Sequence, residues 1–234
     1  MRSRVALLVA VDRHRLALSA TDAGHRRAQR PGGGMTAEHI GGAVGFGPYT
    51  VLDLHEQPED GKGLELEDGW LIEVAAGARH NWIARTLARI VESAAGEAEV
   101  VVLEGGEWEI STPNGVRKPD VFVIPRDVAR AAVLDETPKL IPGTELLLVV
   151  EVVSPGSGSE RTDRVRKVRE YAALGIPQYW IIEHQPHIRI HRSVLGDDGY
   201  RWEPTVPEGS RFSADVEADK VFRIEFDPAA LIEI

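Results

Sequence analysis

The 234-residue sequence contains no cysteine, which excludes a disulfide scaffold, thiol catalysis and every zinc site built on thiolates, and points to a cytoplasmic protein. An excess of basic charge is also missing. Lys and Arg number 27 against 37 Asp and Glu, a net charge of -10, so the chain as a whole is no polybasic coat for nucleic acid and any such contact has to be local. No apolar run approaches the roughly 20 residues that a membrane helix needs. Gly156 and Gly158 lack the Gly-Lys-Ser/Thr of a phosphate-binding loop and do not complete a dinucleotide fingerprint. Internal repeats and long low-complexity tracts are absent from residue 35 onward.

What is present is 43% hydrophobic and 27% charged residues, a balance that excludes disorder and supplies a sizeable core for one domain, or at most two. Charge divides the chain. Residues 1–34 hold seven Arg and two Asp, leaving 20 basic against 35 acidic residues for the rest. The apolar stretch 5–11 follows two arginines, but Asp12-Arg13-His14-Arg15 ends it after seven residues, too short for a secretory signal. Arg30-Pro31-Gly32-Gly33-Gly34 reads as a flexible joint and Met35 as an alternative start. We therefore expect a disordered extension over 1–34 and a single domain over 35–234.

Within that domain, apolar alternation on both sides of Asp68-Gly69 signals a hairpin. Ile83, Leu87, Ile90 and Val91 share a helical spacing that Gly96 ends. Strands are expected at 100–103, 116–124, 146–153 and 178–183, a helix at about 159–174, and hairpins thereafter. The order helix, three strands, helix, strand predicts an α/β sandwich with a mixed central sheet.

Glu151 is the anomaly. A carboxylate inside Leu-Leu-Leu-Val-Val-Glu-Val-Val costs several kcal/mol to desolvate unless it is paired, protonated or bound to a cation. It either reaches the solvent end of its strand, meets an arginine, or shares a cation with a second carboxylate. Asp120, in Lys118-Pro119-Asp120 before another apolar strand, is the candidate for the last case, and two such carboxylates suit magnesium. The turn 154–159 leads into a helix whose amides could attract phosphate. On that helix Asp163 and Lys167 lie four apart and share a face, with Tyr171 one turn on. His184, His187 and His191 are close in sequence but have no second ligand cluster beside them for zinc. Trp180, Tyr179 and Tyr171 read as core packing.

Lys118-Pro119-Asp120-Val121, Val150-Glu151-Val152-Val153-Ser154-Pro155, the pair Asp163 and Lys167, and Tyr171-Ala172 with Gly175-Ile176-Pro177-Gln178-Tyr179-Trp180 resemble the Uma-two family of restriction endonucleases in the PD-(D/E)XK nuclease superfamily. Met35-Thr36-Ala37-Glu38, Pro58-Glu59-Asp60-Gly61, Glu65-Leu66-Glu67-Asp68-Gly69 and His80 are similar to the family's N-terminal pattern. The resemblance implies a restriction-endonuclease-like fold and magnesium- or manganese-dependent hydrolysis of phosphodiester bonds, in DNA, by a homodimer if both strands are cut. It implies Asp120, Glu151 and the Val152 carbonyl as metal ligands. Val153 stands where the superfamily places a catalytic lysine, and the resemblance transfers that role to Lys167, with Asp163 orienting it and Ser154 bonding the carboxylates. His80 and Glu65 are weaker additions. The alternative is a non-catalytic nuclease-fold protein that binds DNA or a protein partner, which the acidity of the domain favours.

Overall fold

The computed structural model describes residues 47–234 except 75, 107, 137–139 and 154–159. The expected N-terminal extension, Met35 and the Gly/Ser turn with Ser154 lie outside the described residues.

A short helix α1 (Val51–His55) is closed at its start by a reciprocal bond pair between Thr50 and Asp53. Strands β1 (Leu64–Glu67) and β2 (Trp70–Glu73) form the expected hairpin. Asp68 and Gly69 both take positive φ, 49° and 79°, the backbone that a tight two-residue hairpin requires. Helix α2 (Ala78–Ala95) buries Ile83, Ala84, Leu87, Ala88, Val91 and Ala95 along one stripe. There follow β3 (Val100–Glu104), β4 (Ile110–Thr112), β5 (Gly115–Arg117), β6 (Val121–Pro125), α3 (Arg126–Val133), β7 (Ile141–Pro142) and β8 (Leu148–Val153). A π-helical turn, Thr162–Arg166, runs into α4 (Lys167–Ala173), which returns the chain to β9 (Gln178–Glu183). The rest is β10 (Arg189–Gly196), β11 (Gly199–Trp202), β12 (Val206–Pro207), β13 (Phe212–Val216) and β14 (Phe222–Phe226).

The central sheet has the order β11-β10-β9-β8-β6-β3, with β12 paired to β10. It is mixed. The β8–β9 pair is parallel and joined by the α4 crossover, while the other pairs are antiparallel. A smaller sheet, β2-β1-β5-β4-β7, and the β13–β14 hairpin complete the described strands.

Residues 116–124 do not form one strand. Pro119 has no amide to give a ladder and a fixed φ, and the chain changes sheets there, from β5 in the small sheet to β6 in the central one. Asp120 is the residue just before β6.

Two apolar layers clasp the central sheet. On one face Leu148, Val150 and Val152 of β8 and Val121 and Val123 of β6 pack with α2 and β13–β14. On the other, Val149, Val153, Phe122 and Ile124 pack with Tyr171 of α4 and Tyr179 of β9. Alternation along a strand sets Glu151 among the second group, facing α4. The expected α/β sandwich with a mixed sheet is the observed architecture.

Candidate active site

Val121 of β6 stands opposite Val150 of β8, so Asp120 and Glu151 are the next facing positions. Beyond that point β8 has lost its β6 neighbour, and the Asp120 carboxylate takes over from the ladder by accepting the Val152 amide at 2.7 Å. Its other oxygen lies 2.7 Å from Nε2 of His80, in the first turn of α2. The side chain is thus held at both oxygens by two different elements.

Glu151 is 3% exposed and meets neither solvent nor an arginine. Lys167 Nζ donates to its Oε1 at 3.0 Å and the Tyr171 hydroxyl donates to the same oxygen at 2.9 Å. Lys167 is buried as well, and its ammonium also stands 3.2 Å from Asp163 and 3.2 Å from Glu65. Asp163 and Lys167 do share a helix face, but through a π turn in which the Lys167 amide bonds the Thr162 carbonyl. That widened turn has no signal in residue spacing.

Glu65 belongs to the centre of the site. It is 1% exposed, and besides Lys167 it accepts from the Lys118 amide at 2.9 Å and from Arg117 at 3.2 Å. Arg117, equally buried, also donates to Glu67 at 2.9 Å and twice to Glu170 of α4, at 2.9 and 2.7 Å. Arg117 was not singled out in the sequence. Its signal was indirect: Glu65, Glu67 and Glu170 need a buried counter-ion, and the strand residue Arg117 could supply it. Tyr171 and Tyr179 are core residues as expected, yet both hydroxyls serve the site, since Tyr179 donates to the Asp163 carbonyl at 2.8 Å.

The ionisation follows the crowding. Burial drives the Glu151 carboxyl well above its ordinary range; the Lys167 charge opposes the rise, and Asp120, Asp163 and Glu65 add to it. Burial likewise raises Asp163 against the pull of Lys167. Burial disfavours the charged form of Lys167, but Glu151, Glu65 and Asp163 outweigh it and hold its pKa well above that of a free lysine. Burial disfavours charged His80 too, and the bond and charge of Asp120 reverse the sign, so its pKa is raised.

Lys62, Asn81, Arg85, Lys118, Asp120, Glu151 and Lys167 contribute to a cleft of about 560 Å³. Four carboxyl groups, Glu65, Asp120, Glu151 and Asp163, line it around the buried Lys167 ammonium, while the buried Lys118 ammonium turns to Glu109 and the Gly61 carbonyl. Oxygen donors with surplus negative charge are what a hard divalent cation requires. Among the described residues no group of three or more His, Asp or Glu side chains is placed to hold a metal ion. Asp120 and Glu151, at facing positions of the two strands, are the carboxylates that could hold such an ion. The three histidines of the 184–191 stretch are not seen to converge on one centre: His187 pairs with Glu208, and His191 Nδ1 lies against the Thr205 hydroxyl.

The fold and site together define a restriction-endonuclease-like α/β protein. Residues 51–223 match the sequence pattern of the family described as "Uma2: Putative restriction endonuclease", and the chain belongs to that family. No curated protein matches the sequence. The structure is similar to the crystal structure of a "putative nuclease belonging to DUF820" from Anabaena variabilis, with a TM-score of 0.57 and 15% identity over 79% of this chain and 97% of that one. At that identity the likeness speaks for the fold. Among the described residues no helix is long and apolar enough to cross a membrane.

Proposed function

We propose that the protein is a metal-dependent endonuclease that hydrolyses phosphodiester bonds in DNA. The observation that carries this reading is the convergence of Asp120, Glu151 and Lys167, from the start of β6, from β8 and from α4, on one cleft. Magnesium, or manganese in its place, would be held by Asp120, Glu151 and the Val152 carbonyl, and when bound it supplies Lewis-acid polarisation of the phosphate and acidifies a water.

The chain's own residues do the rest. Asp120 is fixed by His80 and the Val152 amide, so that its carboxylate is oriented before substrate arrives. The carboxylates around Lys167 favour its charged form, so its role in this reading is that of a fixed positive charge and donor beside the oxygens on which negative charge develops. Glu65 and Asp163 hold that ammonium in place. Tyr171 fixes Glu151 from the other side. Cutting both strands of a duplex would call for a homodimer, each copy with one such cleft.

Supercoiled plasmid incubated with the full chain tests the reading. Nicked and linear products are expected with magnesium or manganese, none with a chelator, and recovery on restoring the metal. A chain that binds DNA but never cuts it with either ion would instead be the non-catalytic nuclease-fold protein.

A further inference from the structure

Part of the expected basic surface, on the helix after β8, is spent on ion pairs, while Arg161 and Arg169 stay exposed. Arg164 is bound to Glu160 and Glu183, Arg166 to Glu67, and Lys167 is buried among three carboxylates. Neither Arg161 nor Arg169 lines the cleft, whose open arginine is Arg85 of α2. This helix carries Arg79, Arg85 and Arg89 against a single acid, Glu92, in a chain of net charge -10. All three arginines are exposed, and none is in an ion pair among the described residues.

Their spacing gives the charge a direction. Asn81, Arg85 and Arg89 are successive i, i+4 positions, so they form one stripe with steps of about 6 Å along the axis. Asn81 and Arg85 line the cleft that holds Asp120, Glu151 and Lys167. Arg89 lines a separate groove, beside Arg223, Glu225 and Phe226 of β14, where Glu225 is paired with Arg211. The stripe therefore starts in the cleft, next to the His80 that bonds Asp120, and leads out of it. Its residues are donors without an apolar centre, which is the chemistry of a phosphate-binding surface rather than of a protein interface.

We propose that the Asn81-Arg85-Arg89 stripe of α2 is the rail along which a nucleic-acid strand leaves the cleft, with Arg85 binding the phosphate beside the one that reaches the carboxylates. The proposal rests on the nuclease reading for the identity of the strand. It also resolves the conflict between an acidic protein and a polyanionic ligand, because the contact is one helix face wide and the rest of the surface repels, which would keep non-specific binding weak and strongly dependent on salt.

Fluorescence anisotropy of labelled single-stranded DNA, duplex DNA and RNA oligonucleotides, with the full chain in a chelator, tests this apart from cleavage. Arg85→Ala and Arg89→Ala are each expected to weaken binding without regard to sequence and to lower the slope of log affinity against log salt by about 1. The double charge reversal Arg85→Glu with Arg89→Glu should weaken it further, by at least roughly tenfold, with an unchanged circular dichroism spectrum because both side chains are in solvent. Arg130→Ala, an exposed change on α3, is the control and should leave both affinity and slope as they were. If the wild-type chain binds and the double reversal keeps its affinity and slope, the rail is wrong while the nuclease reading stands. If the wild-type chain binds none of the three oligonucleotides, both fall. The oligonucleotide bound most tightly shows whether the strand is DNA or RNA, and either result supports the rail.

Discussion

Lys167 lies 16 positions beyond Glu151 in the chain and returns to within 3.0 Å of its carboxylate. The crossover from β8 to α4 makes this contact possible, and it places the cation of the site on a helix while the carboxylate stays on the sheet. The two residues compensate each other's burial, and changing either should register in both stability and chemistry.

Tyr171 tests the chemistry at the least structural cost. Its hydroxyl is one of the two donors to Glu151 Oε1, and Tyr171→Phe removes only that oxygen. A loss of about 1–2 kcal/mol in urea unfolding is expected for the broken buried bond, with DNA cleavage slowed and magnesium still bound. Cleavage at the wild-type rate would show that Glu151 needs no second anchor.

Acidity enters through Glu151. Its carboxyl pKa is raised in the folded chain by burial and by its acidic neighbours, so the folded state binds a proton more readily than the unfolded one. The charged carboxylate is a burden at neutral pH, and stability from this group increases as pH falls through the folded pKa toward the unfolded one. Glu151→Gln imitates the protonated form. Its melting temperature without metal should exceed that of the wild type most at pH 8, and the difference should shrink as pH approaches 5. A difference that grows on acidification would contradict the sign.

Arg117 should matter to the fold more than any exposed arginine. Arg117→Met leaves Glu65, Glu67 and Glu170 buried with their main counter-ion gone, and a loss of about 3–5 kcal/mol is expected in chemical denaturation. Arg117→Lys should recover only part of it, since one ammonium cannot present the planar fork that meets three carboxylates. Arg126→Ala, which breaks a pair in solvent, should cost less than about 1 kcal/mol.

Much of this was legible in the residues. The spacing of Ile83, Leu87 and Val91 marks the stripe of α2, and the lone Glu151 in an apolar strand marks the site, because both are one-dimensional patterns with one physical explanation each. The break at Pro119 is marked in the residues by Arg117-Lys118-Pro119-Asp120 between Val116 and the apolar run 121–124, but only the change of sheet shows that one strand ends before it and another begins just after Asp120. Which cation meets Glu151 could not be read from spacing, since the π turn before Lys167 leaves no periodic trace. Nor could the division between bound and open arginines: Arg166 and Arg85 look alike in sequence, and differ because Glu67 pairs with one while, among the described residues, no carboxylate comes within ion-pair distance of the other.

The central claim is that the cation beside the carboxylates is supplied from α4 by Lys167. Single-turnover cleavage of a DNA duplex in magnesium by the wild type, Lys167→Met and Arg166→Met tests it most directly. Lys167→Met keeps the length of the side chain and removes the charge, and is expected to lose at least about 100-fold in rate, whereas Arg166→Met, one position away and more than half exposed, should stay within a few-fold of the wild type. Equal losses in the two variants, or wild-type cleavage by Lys167→Met, would contradict the account.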